Sequence, residues 1–277
     1  MGLSQTTLGV LMAVALIPPC AAAQVDVARA CTSADVVLAR YVDAIGGKAV
    51  FDIQSQRIKA RESNPGTYGG GTEHYVYQFK WKAPNRVVAE RKPYVLNVLP
   101  ASYPNSVFIF DGTAWSNFER RMSRNEDRDP EWQRVLRHKF PYNESPHFLM
   151  LRVVADPLMI ARASELYTSF QADRNYGVHP GLCVLRANGQ DEWRGQREDV
   201  LYFDATTGFL RTWRIQAGPL PHKTYVNFEF ADYRQVGAIR FPFQVYFDYY
   251  KAAFRYTEVV HNKPLPDSDF VAKPAKP

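Results

Sequence analysis

Six histidines, three cysteines and a scatter of aspartates are the residues through which this 277-residue chain could do chemistry. His74, His138, His147, His179, His222 and His261 make no HxxxH, HExxH or Cys–His cluster, so their spacing gives no metal-ligand pattern. There is no GxSxG elbow, no P-loop, no GxGxxG after a strand and no CxxCH. The glycines of "YGGG" (68–71) read as a turn, because no helix start follows them to hold a phosphate. Asp204, Asp232 and Asp248 lie among aromatics, where a carboxylate pair for glycoside cleavage could sit. Asp204 and Asp232, however, flank turns, where an aspartate serves its own backbone. The chain therefore reads as a non-enzyme, with no metal and no cofactor.

The first 23 residues contain the apolar run "LGVLMAVALI" followed by "PPCAAA". Short for a bilayer span and followed by small residues, this is the pattern of a secretory signal peptide cleaved after Ala23. Its leading segment has no Lys or Arg, so only the α-amine supplies positive charge. A lipid anchor on Cys20 is disfavoured by the proline before it. Export places the remainder in a periplasmic, oxidising setting, where Cys31 and Cys183 can form a disulfide or stay as two buried thiols. The net charge of +6 comes without a Lys/Arg block, which suits anionic headgroups and transient contact with a membrane surface better than nucleic acid.

The elements that must carry any site come next. "SADVVLARYVDAIGG" (33–47) is an amphipathic helix with Ser33 or Asp35 as cap and a Gly-Gly stop. The period then changes from 3.6 to 2. In "EHYVYQFKW" (73–81), Tyr75, Tyr77, Phe79 and Trp81 share one face; in "IRFPFQVYF" (239–247), Ile239, Phe241, Phe243, Val245 and Phe247 do. "VFIFDGTAWSNF" (107–118) is a hairpin turning at Asp111-Gly112. In the middle, "DPEWQRVLRHKF" (129–140) and "SPHFLMLRVV" (145–154) carry helix-start signals, predicting a helical plug over 129–156. Strands resume after Leu166, and 265–277 is a polar, Pro-rich tail that lies over the surface or frays. No composition break marks a linker, so 24–277 reads as one domain.

"LARYVDAIGGKAVFDIQSQRIKA" (38–60), "LYFDATTGFL" (201–210), "FADYRQVGAIRFPFQVYF" (230–247) and "FRYTEVVHNKPLPDSDF" (254–270) occur in an order that resembles the periplasmic lipoprotein-carrier and lipoprotein-receptor family (LolA/LolB-like), in its lipoprotein-sorting-like branch. The resemblance implies a mainly β fold: an incomplete, half-open antiparallel β-barrel of about eleven strands, with helices plugging the concave face. It also implies that acyl chains or lipids sit in that concavity, with no catalytic residues.

On this reading Tyr75, Tyr77, Phe79, Trp81, Ile239, Phe241, Phe243, Val245 and Phe247 face inward, joined by Phe148 and Leu149 of the plug. They form either a ligand wall or an ordinary core. Arg86, Arg91 and Lys92 are candidates to hold a headgroup at the mouth. The expected function is a periplasmic binding protein for a lipid, acyl chain or lipid-modified protein, acting as carrier or acceptor. The alternative is an envelope sensor or interaction module that uses the same half-barrel to bind a protein partner.

Overall fold

The computed structural model describes residues 27–65, 72–93, 105–120, 132–138, 146–173, 179–191, 195–216 and 225–271. The expected signal peptide with Cys20, the turn at 68–71, an expected strand at 94–100 and a charged loop at 124–129 lie outside them. The first half of the chain supplies β1 (Ser55–Pro65), β2 (Thr72–Lys82), β3 (Arg86–Pro93), β4 (Asn105–Phe110), β5 (Trp115–Arg120) and β6 (Trp132–His138). The second supplies β7 (Ser169–Asp173), β8 (Leu182–Asp191), β9 (Gly195–Asp204), β10 (Leu210–Gln216), β11 (Tyr225–Val236), β12 (Ile239–Phe247) and β13 (Ala252–His261).

All thirteen form one antiparallel sheet in the order β6-β5-β4-β3-β2-β1-β13-β12-β11-β10-β9-β8-β7. Each half is a simple meander, and the two meet where β1 pairs with β13 along Gln56–His261 to Ser63–Ala253. The sheet does not close: β6 and β7 are its two margins, and the shape is an open half-barrel. Flat, thirteen strands spaced about 4.8 Å would set those margins roughly 58 Å apart. The connection between them contains α3 (Pro146–Ala155), whose residues advance only about 1.5 Å each. Curling the sheet shortens that route and puts α3 inside the curl.

Two shorter elements precede β1: α1 (Val27–Ala30) and α2 (Ala34–Ile45). The Ser33 hydroxyl accepts from the Val36 amide at 3.3 Å, so α2 begins at its predicted cap. Its end is dictated by Gly46, at φ 129°, where a Cβ would stand 2.6 Å from the Ala238 carbonyl oxygen. Only glycine lets α2 stop this close to the β11–β12 turn. Cys31 and Cys183 are bonded to each other and tie the α1 end to β8.

Among the described residues the sheet has thirteen strands, close to the about eleven expected. One expectation needs correction. Residues 132–138, expected to be helical, form β6 paired to β5 from Trp115–His138 to Arg120–Trp132. An unpaired β5 edge offers a full ladder of backbone partners, and that outweighs a local Asp-Pro start signal. The helical plug is therefore α3 and the 3-10 turn at Met159–Glu165. The convex face also carries apolar packing, because Leu265 and Phe270 of the tail lie on Val88, Ile109 and Phe118. Asp267 pins that segment to Lys82 at 2.6 Å and to Arg86 at 3.0 Å, and Asp269 pairs with Lys80 at 3.1 Å.

Candidate functional site

Alternation along each strand sends one set of side chains into the curl, and there the aromatics gather. On β2, Tyr77 stacks on Phe79 at 5.2 Å and meets Phe254 of β13 edge-on at 5.6 Å. On the other side of the junction, Phe247 stacks on Phe228 of β11 at 4.6 Å, and Phe241 meets Tyr256 at 5.4 Å. Tyr75, Tyr77, Phe79, Trp81, Ile239, Phe241, Val245 and Phe247 are all buried in one continuous cluster. From the helical side, Tyr41 of α2 packs on Phe203 at 5.3 Å. Phe148 of α3 stacks on Trp115 at 5.0 Å, and Leu149 is buried beside it. The described part of the concavity is filled by the protein's own side chains.

Phe243 departs from its neighbours. It is only half-buried, and the exposed Arg234, paired to Asp232, lies over its ring at 4.7 Å. Pro242, which has no N–H to donate, is buried within a strand that has neighbours on both sides. The ladder to β13 runs from Phe247 only as far as Gln244, so Pro242 sits just past the last pair and costs no bond there.

The three basic candidates separate. Arg86 and Lys92 are on the convex-facing set of β3, with Arg86 held by Asp267 and the ring of Phe270 at 5.3 Å. Neither stands at the mouth of the concavity. Arg91 does face inward. It donates to the Ser106 hydroxyl at 3.2 Å and lies over the Tyr75 ring at 4.7 Å. Burial works to lower the Arg91 pKa, but the Tyr77 and Tyr75 oxygens and Glu62 outweigh it and leave the guanidinium more basic than usual. The first turn of α3 meets this arginine. Burial first, and Arg91 second, push His147 down to about 4, so the imidazole is neutral. His147 is surrounded by Phe108 at 5.0 Å, Phe148 at 5.9 Å and Tyr250 at 6.2 Å.

Two further polar groups under the plug were not expected. At the end of α3, the Gln56 amide donates to Asp156 at 3.2 Å, and Arg162 pairs with the same carboxylate while covering Trp81 at 5.0 Å. The Tyr41 hydroxyl is fully enclosed nearby without a hydrogen-bond partner, and burial pushes its pKa well up. Near β10, Asp199 has no exposure. It accepts from the Tyr167 hydroxyl at 2.6 Å and the Gln216 amide at 2.9 Å, with Arg197 at 3.3 Å. Burial raises the Asp199 pKa, against the pull of Arg197 and those donors. The signal was present in "REDV": Arg197 and Asp199 occupy positions on the apolar, inward-facing set of β9.

The acidic trio considered for glycoside chemistry is dispersed. Asp204 accepts from the Thr206 and Thr207 amides in its turn, Asp232 pairs with Arg234, and Asp248 accepts from the Asn227 amide at 2.8 Å. Among the described residues, no three His, Cys, Asp or Glu side chains converge on one point, and no helix is long and apolar enough to cross a membrane.

This open antiparallel half-barrel with an internal helix is a fold found in solved structures of other proteins. A LolA-superfamily protein from Nitrosomonas europaea superposes with a TM-score of 0.54 over 87% of this chain and 98% of its own, at 12% identity. A DUF1329 family protein from Desulfovibrio piger superposes with a TM-score of 0.53 over 86% and 96%, at 9% identity. A putative outer membrane lipoprotein-sorting protein domain from Vibrio parahaemolyticus reaches 0.49 over 84% and 94%, at 10% identity. The two superpositions above 0.5 establish a shared fold, and at identities of 9–12% a shared fold alone. No family profile and no curated protein matches the chain.

Proposed function

We propose that this is an exported cell-envelope protein that holds an acyl chain, a lipid or a lipid-modified protein between its concave wall and α3, as carrier or acceptor. The observation that supports this reading is how α3 is seated. It buries Leu149, Met150, Leu151, Val153 and Val154 in the same apolar cluster as the aromatic wall, with the inward Arg91 beside its first turn. A displaced α3 would leave an apolar channel ending in a cation, which is the shape and charge an anionic amphiphile requires. The shared fold with a LolA-superfamily structure supports the same class.

Magnitudes favour exchange over simple filling. Burying a twelve-carbon chain contributes about 10 kcal/mol at roughly 0.8 kcal/mol per methylene. Uncovering five large apolar side chains of α3 costs an amount of the same order, about 1.5–3 kcal/mol each. The two terms nearly cancel, so loading and unloading stay reversible, as a carrier needs.

The test is native mass spectrometry of the exported, gently purified protein, followed by organic extraction. Acyl species that co-purify and leave on denaturation would support the reading. A clean apo mass that also resists added dodecanoate would overturn it. A stable protein complex without lipid would instead favour the interaction module.

A further inference from the structure

The convex face carries a groove that none of the preceding argument uses. Its floor is Val200 of β9, and the sheet register determines its walls. Arg186 of β8 and Arg214 of β10 stand directly opposite Val200 on the two neighbouring strands. Glu198 and Tyr202 lie two residues away on β9 itself, and side chains two apart share a face. Val184 continues the floor toward Asp173, and Tyr225 and His179 extend the two ends. Together they enclose about 210 Å³.

The chemistry of the walls narrows the occupant. Arg186 is held between Asp173 at 3.3 Å and Glu198 at 3.2 Å. The Arg214 guanidinium lies over the Tyr225 ring at 4.2 Å, and the Tyr202 ring meets His179 edge-on at 5.1 Å. Two guanidiniums and two carboxylates cancel in charge, so neither an anion nor a cation gains from the site as a whole. What the groove offers is a mix of planar donors and carboxylate acceptors around an apolar and aromatic floor. A hydroxyl both donates and accepts, and a ring of C–H groups packs on valine and tyrosine. The volume is below the roughly 300–1,000 Å³ of drug-sized sites, which suits a single ring. From this geometry we infer that the groove over β8, β9 and β10 binds a neutral saccharide ring. The C–H face lies on Val200 and Tyr202, and the hydroxyls are shared between Arg186, Arg214 and Glu198.

The groove is on the opposite side of the sheet from α3, so its occupancy and acyl binding are separate readouts. Saturation-transfer difference NMR with glucose and N-acetylglucosamine as probes, at millimolar concentration, tests the assignment on the full mature chain. Transfer to ring protons should appear in the wild type and fall several-fold in Tyr202→Ala and in Arg214→Gln. Transfer should persist in Phe79→Leu, whose change lies on the far face. Because Arg214 is half-exposed and its partner is one ring, Arg214→Gln keeps the fold; an unchanged melting temperature checks this. Absence of transfer to either sugar in the wild type would overturn the inference. So would equal transfer in a folded Arg214→Gln, or competition of the signal by inorganic phosphate, which would make the groove an anion site.

Discussion

The Tyr256 hydroxyl on β13 donates to the Val154 carbonyl near the end of α3 at 2.7 Å, and both residues are buried. This bond ties the internal helix to the strand at the centre of the sheet, across 102 positions of sequence. It also satisfies one of the last carbonyls of a helix, which has no intrahelical donor. Tyr256→Phe removes the donor and leaves that oxygen buried and unpaired. The expected loss is about 1–3 kcal/mol in urea unfolding. Amide exchange along α3 should accelerate more than exchange in β1 or β2. Uniform acceleration over the whole sheet would show that the bond does not act on the helix in particular.

The disulfide joins residues 152 positions apart. In the chain-entropy treatment, a loop of that length corresponds to about 5 kcal/mol, and losses on removing native bridges run about 2–5 kcal/mol. The double variant Cys31→Ser with Cys183→Ser should unfold at clearly lower urea, with an unchanged far-UV spectrum before the transition. A midpoint shift worth less than about 1 kcal/mol would mean that the unfolded chain is already compact near these positions.

Acid should weaken the protein through His147. Its folded pKa is about 4, below the ordinary value of about 6.5 for an unfolded histidine. Above pH 6.5 both states are neutral there and stability is unaffected. As pH falls toward 4, the unfolded state takes up a proton that the folded state refuses, so stability declines. The gap corresponds to at most about 3 kcal/mol, less because His147 is only partly buried. His261, also lowered by burial, adds loss of the same sign. His147→Phe should flatten the pH dependence between 6.5 and 4 in urea melts. An equally steep profile in that variant would assign the effect elsewhere.

The C-terminal cover is a structural part of the sheet. Phe270 is about 1% exposed and packs with Leu265 on the outside of β3, β4 and β5. Phe270→Ala should cost about 3 kcal/mol, at the lower end for a buried phenylalanine, since the site is shallow and can relax. Asp267→Asn, on an exposed carboxylate, should shift stability by well under 1 kcal/mol despite its two ion pairs. Comparing the two by thermal melts separates packing from charge.

Strict alternation made β2 and β12 readable, because a half-barrel buries one side of each strand and period 2 reports this directly. Ser33 and the Gly46 stop were equally plain, being local backbone chemistry. Residues 132–138 were misread because their state is set by the open edge of β5, a partner far from any local window. Arg91 was singled out for its charge, but its inward aim depends on parity with Val87 and Ala89, and Arg86 and Lys92 fall on the other parity. Asp156, Arg162 and Gln56 were missed altogether. They come from two segments 100 positions apart, Gln56 on β1 and Asp156 with Arg162 just after α3, and only the folded route of α3 brings them together.

The pairing of β1 with β13 has a consequence for how the chain is made. A sheet whose last strand lies at its centre cannot be finished by adding to a margin. During synthesis, two half-sheets must each wait with one inner edge bare until residues 252–261 emerge. Contacts this distant in sequence form slowly, and bare edges invite pairing with other chains. Loss of β13 would therefore split the molecule down the middle instead of trimming it, and chaperones that shield bare strand edges should be needed most in the moments before residues 252–261 pair.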